Sequence, residues 1–118
     1  MRQIVEGICL AHGVKGTVDY HTAFPATINN AEAAATAVKA ARSLLGADGV
    51  NGECEPKLFS EDFAHMAAHT PGCYVMLGNG TSGSHQQPLH AASYDFNDEL
   101  LAIGSSYWVE LVLQELKE

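Results

Sequence analysis

The run Cys73-Tyr74-Val75-Met76-Leu77, bracketed by Pro71-Gly72 and Gly78, limits the fold more than any other feature of this chain. Successive side chains of a strand point to opposite sides, so an uninterrupted apolar run has no face left for water. Such a strand needs cover on both faces, as in a sheet sandwiched between helices.

Helices to supply that cover are legible on either side. Residues 2–11 carry Ile4, Val5, Ile8 and Cys9 at helical spacing, and Gly13 ends the pattern as a C-cap. Asn29 or Asn30 can cap the alanine-rich stretch 31–45, which Gly46 stops ahead of the Asp48-Gly49 turn. Ser60 is placed to cap a helix running to about His69, with Glu61 and Asp62 as first-turn carboxylates. Asn97 caps a last helix whose stripe reads Leu101, Gly104, Trp108, Leu111 and Val112, with Lys117 at its C-terminal end. Between them, residues 17–24 alternate and are β-branched or aromatic, residues 50–55 form a weaker strand candidate, and 73–77 is the buried strand. Helices alternating with strands predict an α/β architecture.

Composition narrows the function classes. The 118 residues suffice for one small domain, and 47% hydrophobic with 17% charged is ordinary globular usage. A net charge of −8 with six scattered Lys and Arg leaves nothing to displace counterions from phosphates, so nucleic acid is not an expected partner. An acidic surface disfavours anionic membranes. No window approaches the roughly 20 apolar residues of a membrane span, and no leader peptide is legible. Cys9, Cys54 and Cys73 are odd in number and widely spaced, which favours reduced thiols and a cytoplasmic location.

Familiar catalytic patterns fail on their physical requirements. Gly78-x-Gly80-x-x-Gly83 follows an apolar run, but Ser84-His85-Gln86-Gln87-Pro88 does not open the helix that a pyrophosphate needs. Ser82 stands outside the G-x-S-x-G frame. His65 and His69 share a helix face at i, i+4, yet no glutamate follows His65, so they read as a solvent-facing pair. His85 and His90 read, on spacing alone, as loop histidines.

Four segments in order change that balance. Tyr20-x-x-x-Phe24-Pro25-Ala26-Thr27-Ile28-Asn29, Ser60-Glu61-Asp62-Phe63, Pro71-Gly72-Cys73-Tyr74-Val75-Met76-Leu77-Gly78 and Leu89-His90 together resemble the C-terminal end of the amidohydrolase-type zinc metallopeptidases. That family includes hippurate hydrolase, N-acyl-amino-acid amidohydrolases and indole-acetyl-amino-acid hydrolases. The resemblance implies a C-terminal part of a helix-covered sheet. Residues 1–25 would be a helix and strand left from the lid, or dimerisation, domain, and residues 26–118 the C-terminal half of the catalytic domain. It implies a reaction in which two divalent ions, zinc, manganese or similar, and a glutamate base activate water against an amide carbonyl.

Of the residues that hold those ions, the resemblance maps only the last histidine onto this sequence, at His90. Glu61 and Asp62 are weaker candidates for groups lining the site from behind. The substrate implied is an N-acyl amino acid or small peptide. The glutamate base and the other ligands would precede Met1, so the chain reads as a fragment that holds no metal tightly by itself and is inactive alone. Open sheet edges would then favour self-association. The rival reading is a non-catalytic interaction or structural domain whose histidines are structural.

Overall fold

The computed structural model describes residues 1–116, and Lys117, expected at the end of the last helix, lies outside them. Four helices organise the chain: α1 (Arg2–Ala11), α2 (Ala31–Leu45), α3 (Phe63–Ala67) and α4 (Glu99–Glu115), with a single 3₁₀ turn at Gly83–Gln86. No strand is present among the described residues. None of these helices is long and apolar enough to cross a membrane.

The caps follow sequence chemistry closely. Gly13, at φ 63°, ends α1 with the paired bonds of a left-handed cap: Val14 N–H donates to Cys9 O and Gly13 N–H to Leu10 O. Asn30 Oδ1 accepts from Ala33 N–H at 3.0 Å and starts α2. Gly46, at φ 75°, ends it. The third helix departs from expectation. It begins only at Phe63, with Asp62 at the N-cap position and no side-chain cap, so Ser60 caps nothing and Glu61 and Asp62 precede the first turn.

Packing rests on one helix pair. Among the described residues α2 and α4 are the only helices in extensive mutual contact, and α2 contributes Ala37 and Ala40, the latter fully buried. On α4 the less exposed positions are Leu100, Ile103, Gly104, Tyr107, Glu110, Leu111 and Gln114, one stripe at 3.6-residue spacing. That stripe corrects the one read from sequence: Leu101, Trp108 and Val112 face outward. The reason lies in α4 itself, which is apolar nearly all round, so its pattern carries little directional information.

The sheet of the α/β expectation is not confirmed among the described residues. Residues 73–77 form no ladder, and the backbone groups of Tyr74 are taken by a side chain. Tyr74 N–H donates to Asn29 Oδ1 at 2.8 Å, and Asn29 Nδ2 donates back to Tyr74 O at 3.1 Å. Asn30 N–H adds a bond to Gly72 O at 2.9 Å. These contacts stitch the start of α2 to the apolar run, but no second strand extends them. Residues 17–24 and 50–55 likewise form no strand.

The result is an open structure. The radius of gyration is 20.2 Å, against about 13–14 Å for a compact domain of this length. Its accessible surface is 9844 Å², where a compact monomer of 12.5 kDa exposes roughly 6,000 Å². Among the described residues the buried apolar side chains are Ala37, Ala40 and Ala64, none of them large. Close approach at Ala40 is therefore the feature most sensitive to volume. Ala40→Leu should drive α2 and α4 apart and cost about 1–3 kcal/mol, read as a lower urea midpoint with far-UV helix signal retained before unfolding.

Candidate functional site

His90 sits in a long loop between residues 79 and 97, and asparagines close the base of that loop. Asn79 Oδ1 accepts from Asn97 N–H at 2.9 Å, while its Nδ2 donates to Asp95 O at 2.8 Å and His85 O at 3.1 Å. Asn97 Nδ2 returns a bond to Asn79 O at 3.2 Å, and Asn97 Oδ1 accepts from Glu99 N–H at 3.2 Å. The N-cap position of α4 is Asp98, with no side-chain cap, so the cap expected at Asn97 is displaced by one residue; Asn97 instead anchors the loop just ahead of the helix. Amide side chains suit this work because each offers a donor and an acceptor in one rigid plane.

Within the loop the chain turns sharply at His90. Ala91 N–H donates to Pro88 O at 3.2 Å, which places His90 third in a four-residue turn, and its φ is 70°. A positive φ there is the type II geometry that glycine or asparagine normally supplies. For histidine the left-handed region costs on the order of 1 kcal/mol. The side chain is exposed. Beyond it, Tyr94 N–H donates to Ala91 O, and the Tyr94 and Phe96 rings meet edge to face at 4.9 Å.

His85 is half-buried, and its Nδ1 lies 3.3 Å from Asp95 O. It lines a small depression with Asp95, Phe96, Asn97, Asp98 and Glu99. The ring is engaged with the loop backbone, in keeping with an ordinary loop histidine. His65 and His69 are both exposed, and the His65 ring stands 6.2 Å from that of Phe24.

The acidic pair divides. Glu61 is half-buried and Oε1 accepts from the Tyr74 hydroxyl at 2.9 Å, whereas Asp62 is exposed. Glu61's hydrogen bond, burial and negative charge hold the Tyr74 hydroxyl above its ordinary pKa. The Tyr74 ring also packs on Phe63 at 5.6 Å, so Glu61, Phe63 and Tyr74 form one cluster. This cluster edges an apolar cleft of about 750 Å³ that includes Ile28, Phe59 and Met76. Neither Tyr74 nor Asn79 stands out in the sequence, since a tyrosine in an apolar run and an asparagine between two glycines each have a commonplace reading.

The donors do not assemble a metal site. Among the described residues no three His, Cys, Asp or Glu side chains converge where they could hold an ion. Tetrahedral zinc takes three or four protein ligands, and His90 alone does not fit that requirement. All three cysteines are free, and burial pushes the Cys73 thiol up, away from the reactive thiolate. The arrangement can present one imidazole on a clamped loop. Asn79→Ala should release that loop: proteolytic nicking between residues 80 and 96 is expected to rise at least severalfold, with the helix signal unchanged. Equal resistance to protease in the variant would show that the asparagine clamp is dispensable.

Sequence comparison gives this geometry a setting. Residues 4–114 match peptidase family M20/M25/M40. The chain is similar to hippurate hydrolase of Campylobacter jejuni, 33% identical over 115 residues that cover 98% of this chain and 29% of that enzyme. It is also similar to N-acetyldiaminopimelate deacetylase of Leuconostoc mesenteroides, 32% identical over 105 residues covering 88% of this chain and 26% of that enzyme. The chain therefore spans less than a third of the length of either relative. No solved structure gives a significant match. On the extent of the family match, this chain belongs to peptidase family M20/M25/M40.

Proposed function

We propose that these residues are the C-terminal segment of a metal-dependent amidohydrolase that cleaves the amide bond of N-acyl amino acids or small peptides. The observation that carries this reading is the likeness to hippurate hydrolase along nearly the whole chain. The second relative, a deacetylase, also has an N-acyl compound in its name. Enzymes of this family typically use divalent metals, and His90 is the ligand this segment would bring. A histidine held at positive φ by a clamped loop supports the assignment, because backbone strain concentrates where a side chain must be aimed. Glu61, fixed by the Tyr74 hydroxyl, is the better of the two acidic candidates for a supporting role, and Asp62 the weaker.

In this reading residues 1–25 belong to the lid domain and residues 26–118 to the catalytic domain. Free cysteines fit a reducing, cytoplasmic compartment. The isolated 118 residues would be inactive, since one imidazole cannot build an open zinc site with three protein ligands.

The test uses a chimera in which this chain replaces the matched segment of the Campylobacter enzyme. Metal-dependent hippurate hydrolysis should appear in the chimera and be absent from the isolated chain. His90→Gly should lower kcat/KM by about a hundredfold or more, the scale expected when a metal's immediate surroundings are disrupted. Glycine also tolerates the positive φ, so the substitution adds no backbone strain at the turn. His85→Ala should be milder. Equal losses from the two substitutions would overturn the choice of His90, and hydrolysis by the isolated chain would overturn the segment reading.

A further inference from the structure

We infer that Asn51 is a site of spontaneous deamidation, and that the fold withholds the same reaction from Asn79. These are the asparagines followed by glycine, in Asn51-Gly52 and Asn79-Gly80. The reaction is intramolecular. The backbone nitrogen of the glycine gives up its proton and attacks Cγ of the asparagine. A new N–Cγ bond closes a succinimide ring as the Cγ–Nδ2 bond breaks, and Nδ2 leaves as ammonia, taking up the displaced proton. Water then opens the ring at either carbonyl, leaving aspartate or isoaspartate. Glycine suits this step because it has no Cβ to obstruct the approach and its backbone turns freely.

The surroundings of Asn51 favour ring closure. Residues 51–53 are exposed, so water and hydroxide reach the reacting peptide. Asn51 Oδ1 accepts from Glu53 N–H at 3.0 Å. That bond folds the side chain forward over the Gly52 peptide. It also polarises the Cγ carbonyl toward the negative charge its oxygen carries during attack. Among the described residues Nδ2 of Asn51 makes no hydrogen bond, so nothing holds the leaving group. Gly52 lies against α2, where a Cβ would meet Val38 Cγ2 at 3.4 Å and Arg42 Nη2 at 3.7 Å. The Arg42 guanidinium thus stands beside the residue whose nitrogen must lose a proton, and a nearby cation favours that loss.

Asn79 has the same neighbour in sequence and the opposite surroundings. It is half-buried, and its Nδ2 donates to Asp95 O at 2.8 Å and His85 O at 3.1 Å while Oδ1 accepts from Asn97 N–H at 2.9 Å. All three bonds must open before Cγ can swing toward the Gly80 nitrogen. Their partners lie 6 to 18 residues away along the chain, so the protection belongs to the fold and not to the dipeptide. Conversion here would also set a carboxylate oxygen, which cannot donate, against the carbonyls of His85 and Asp95. The amide that closes the loop of His90 is therefore the protected one, and the exposed amide is the one the chain loses. Asp48-Gly49 can close a similar ring, but it expels water and releases no ammonia.

The experiment incubates the 118-residue chain in mildly alkaline buffer, with and without concentrated urea. Mass spectrometry follows the peptides containing Asn51 and Asn79, and released ammonia is measured on the same samples. In buffer Asn51 should convert and Asn79 should lag by about tenfold or more, because three hydrogen bonds have to open first. In urea, where the fold is gone, the two should convert at similar rates. Gly52→Ala places its methyl at ordinary contact distance from Val38, so the helix signal should persist. It should slow conversion at Asn51 by about fivefold or more and leave Asn79 unchanged. If that variant loses helix signal, the wild-type comparison between buffer and urea still decides. Conversion of Asn79 in buffer as fast as Asn51, an unreactive Asn51, or a gap that persists in urea would each overturn the inference. So would a folded Gly52→Ala chain that converts at the wild-type rate.

Discussion

Ala37 and Ala40 are buried on α2, the helix that packs against α4, and the segments that carry the candidate residues are attached to that pair. Asn29 and Asn30, at the start of α2, hold residues 72–74 through one backbone and two side-chain bonds. Leu77, further along the same run, lies close to Gly104 of α4, where a Cβ would meet Leu77 Cδ2 at 3.9 Å. Asn79 and Asn97 then tie the next loop to the N-terminus of α4. Without the helix pair these hydrogen bonds would have nothing fixed to anchor, since exposed polar bonds net only about 1 kcal/mol each.

That anchoring passes directly to the candidate site. The loop carrying His90 contains the Tyr94–Phe96 ring pair. Its shape depends on Asn79 spending its whole amide on three backbone groups at the loop base. A histidine at φ 70° persists only where the surrounding chain dictates the turn. Glu61 is fixed by a separate route, through Tyr74 and Asn29, so the histidine and the carboxylate both trace back to the same two helices. The chain belongs to peptidase family M20/M25/M40 and spans under a third of the length of the two relatives.

Local chemistry was legible in the sequence, and long-range chemistry was not. Gly13, Asn30 and Gly46 bound their helices as residue type dictates, because capping is decided within a few residues. The four segments that resemble the family were legible for a similar reason, each being a short run of residue types. The strand expected at residues 73–77 is not confirmed among the described residues, for the opposite reason. A ladder needs a second backbone, and here an asparagine side chain takes that place. The face of α4 was misassigned because Leu101, Trp108 and Val112 are as apolar as Leu100, Ile103 and Leu111, so only the partner helix decides which stripe turns inward. Glu61 and Asp62 lie ahead of the first turn that residue type predicts for them, because α3 is a short helix that begins at Phe63.

The central claim is that order in this chain resides in the α2–α4 pair, while the apolar run 73–77 is extended backbone without a strand partner. Residue-resolved amide hydrogen exchange tests it most directly. The account predicts slowest exchange in the middle of α2 and α4, intermediate protection at Tyr74, whose amide Asn29 holds, and fast exchange at Val75, Met76 and Leu77. Protection of those three amides comparable to that of Ala40 would mean a strand ladder exists in solution, and would contradict the account.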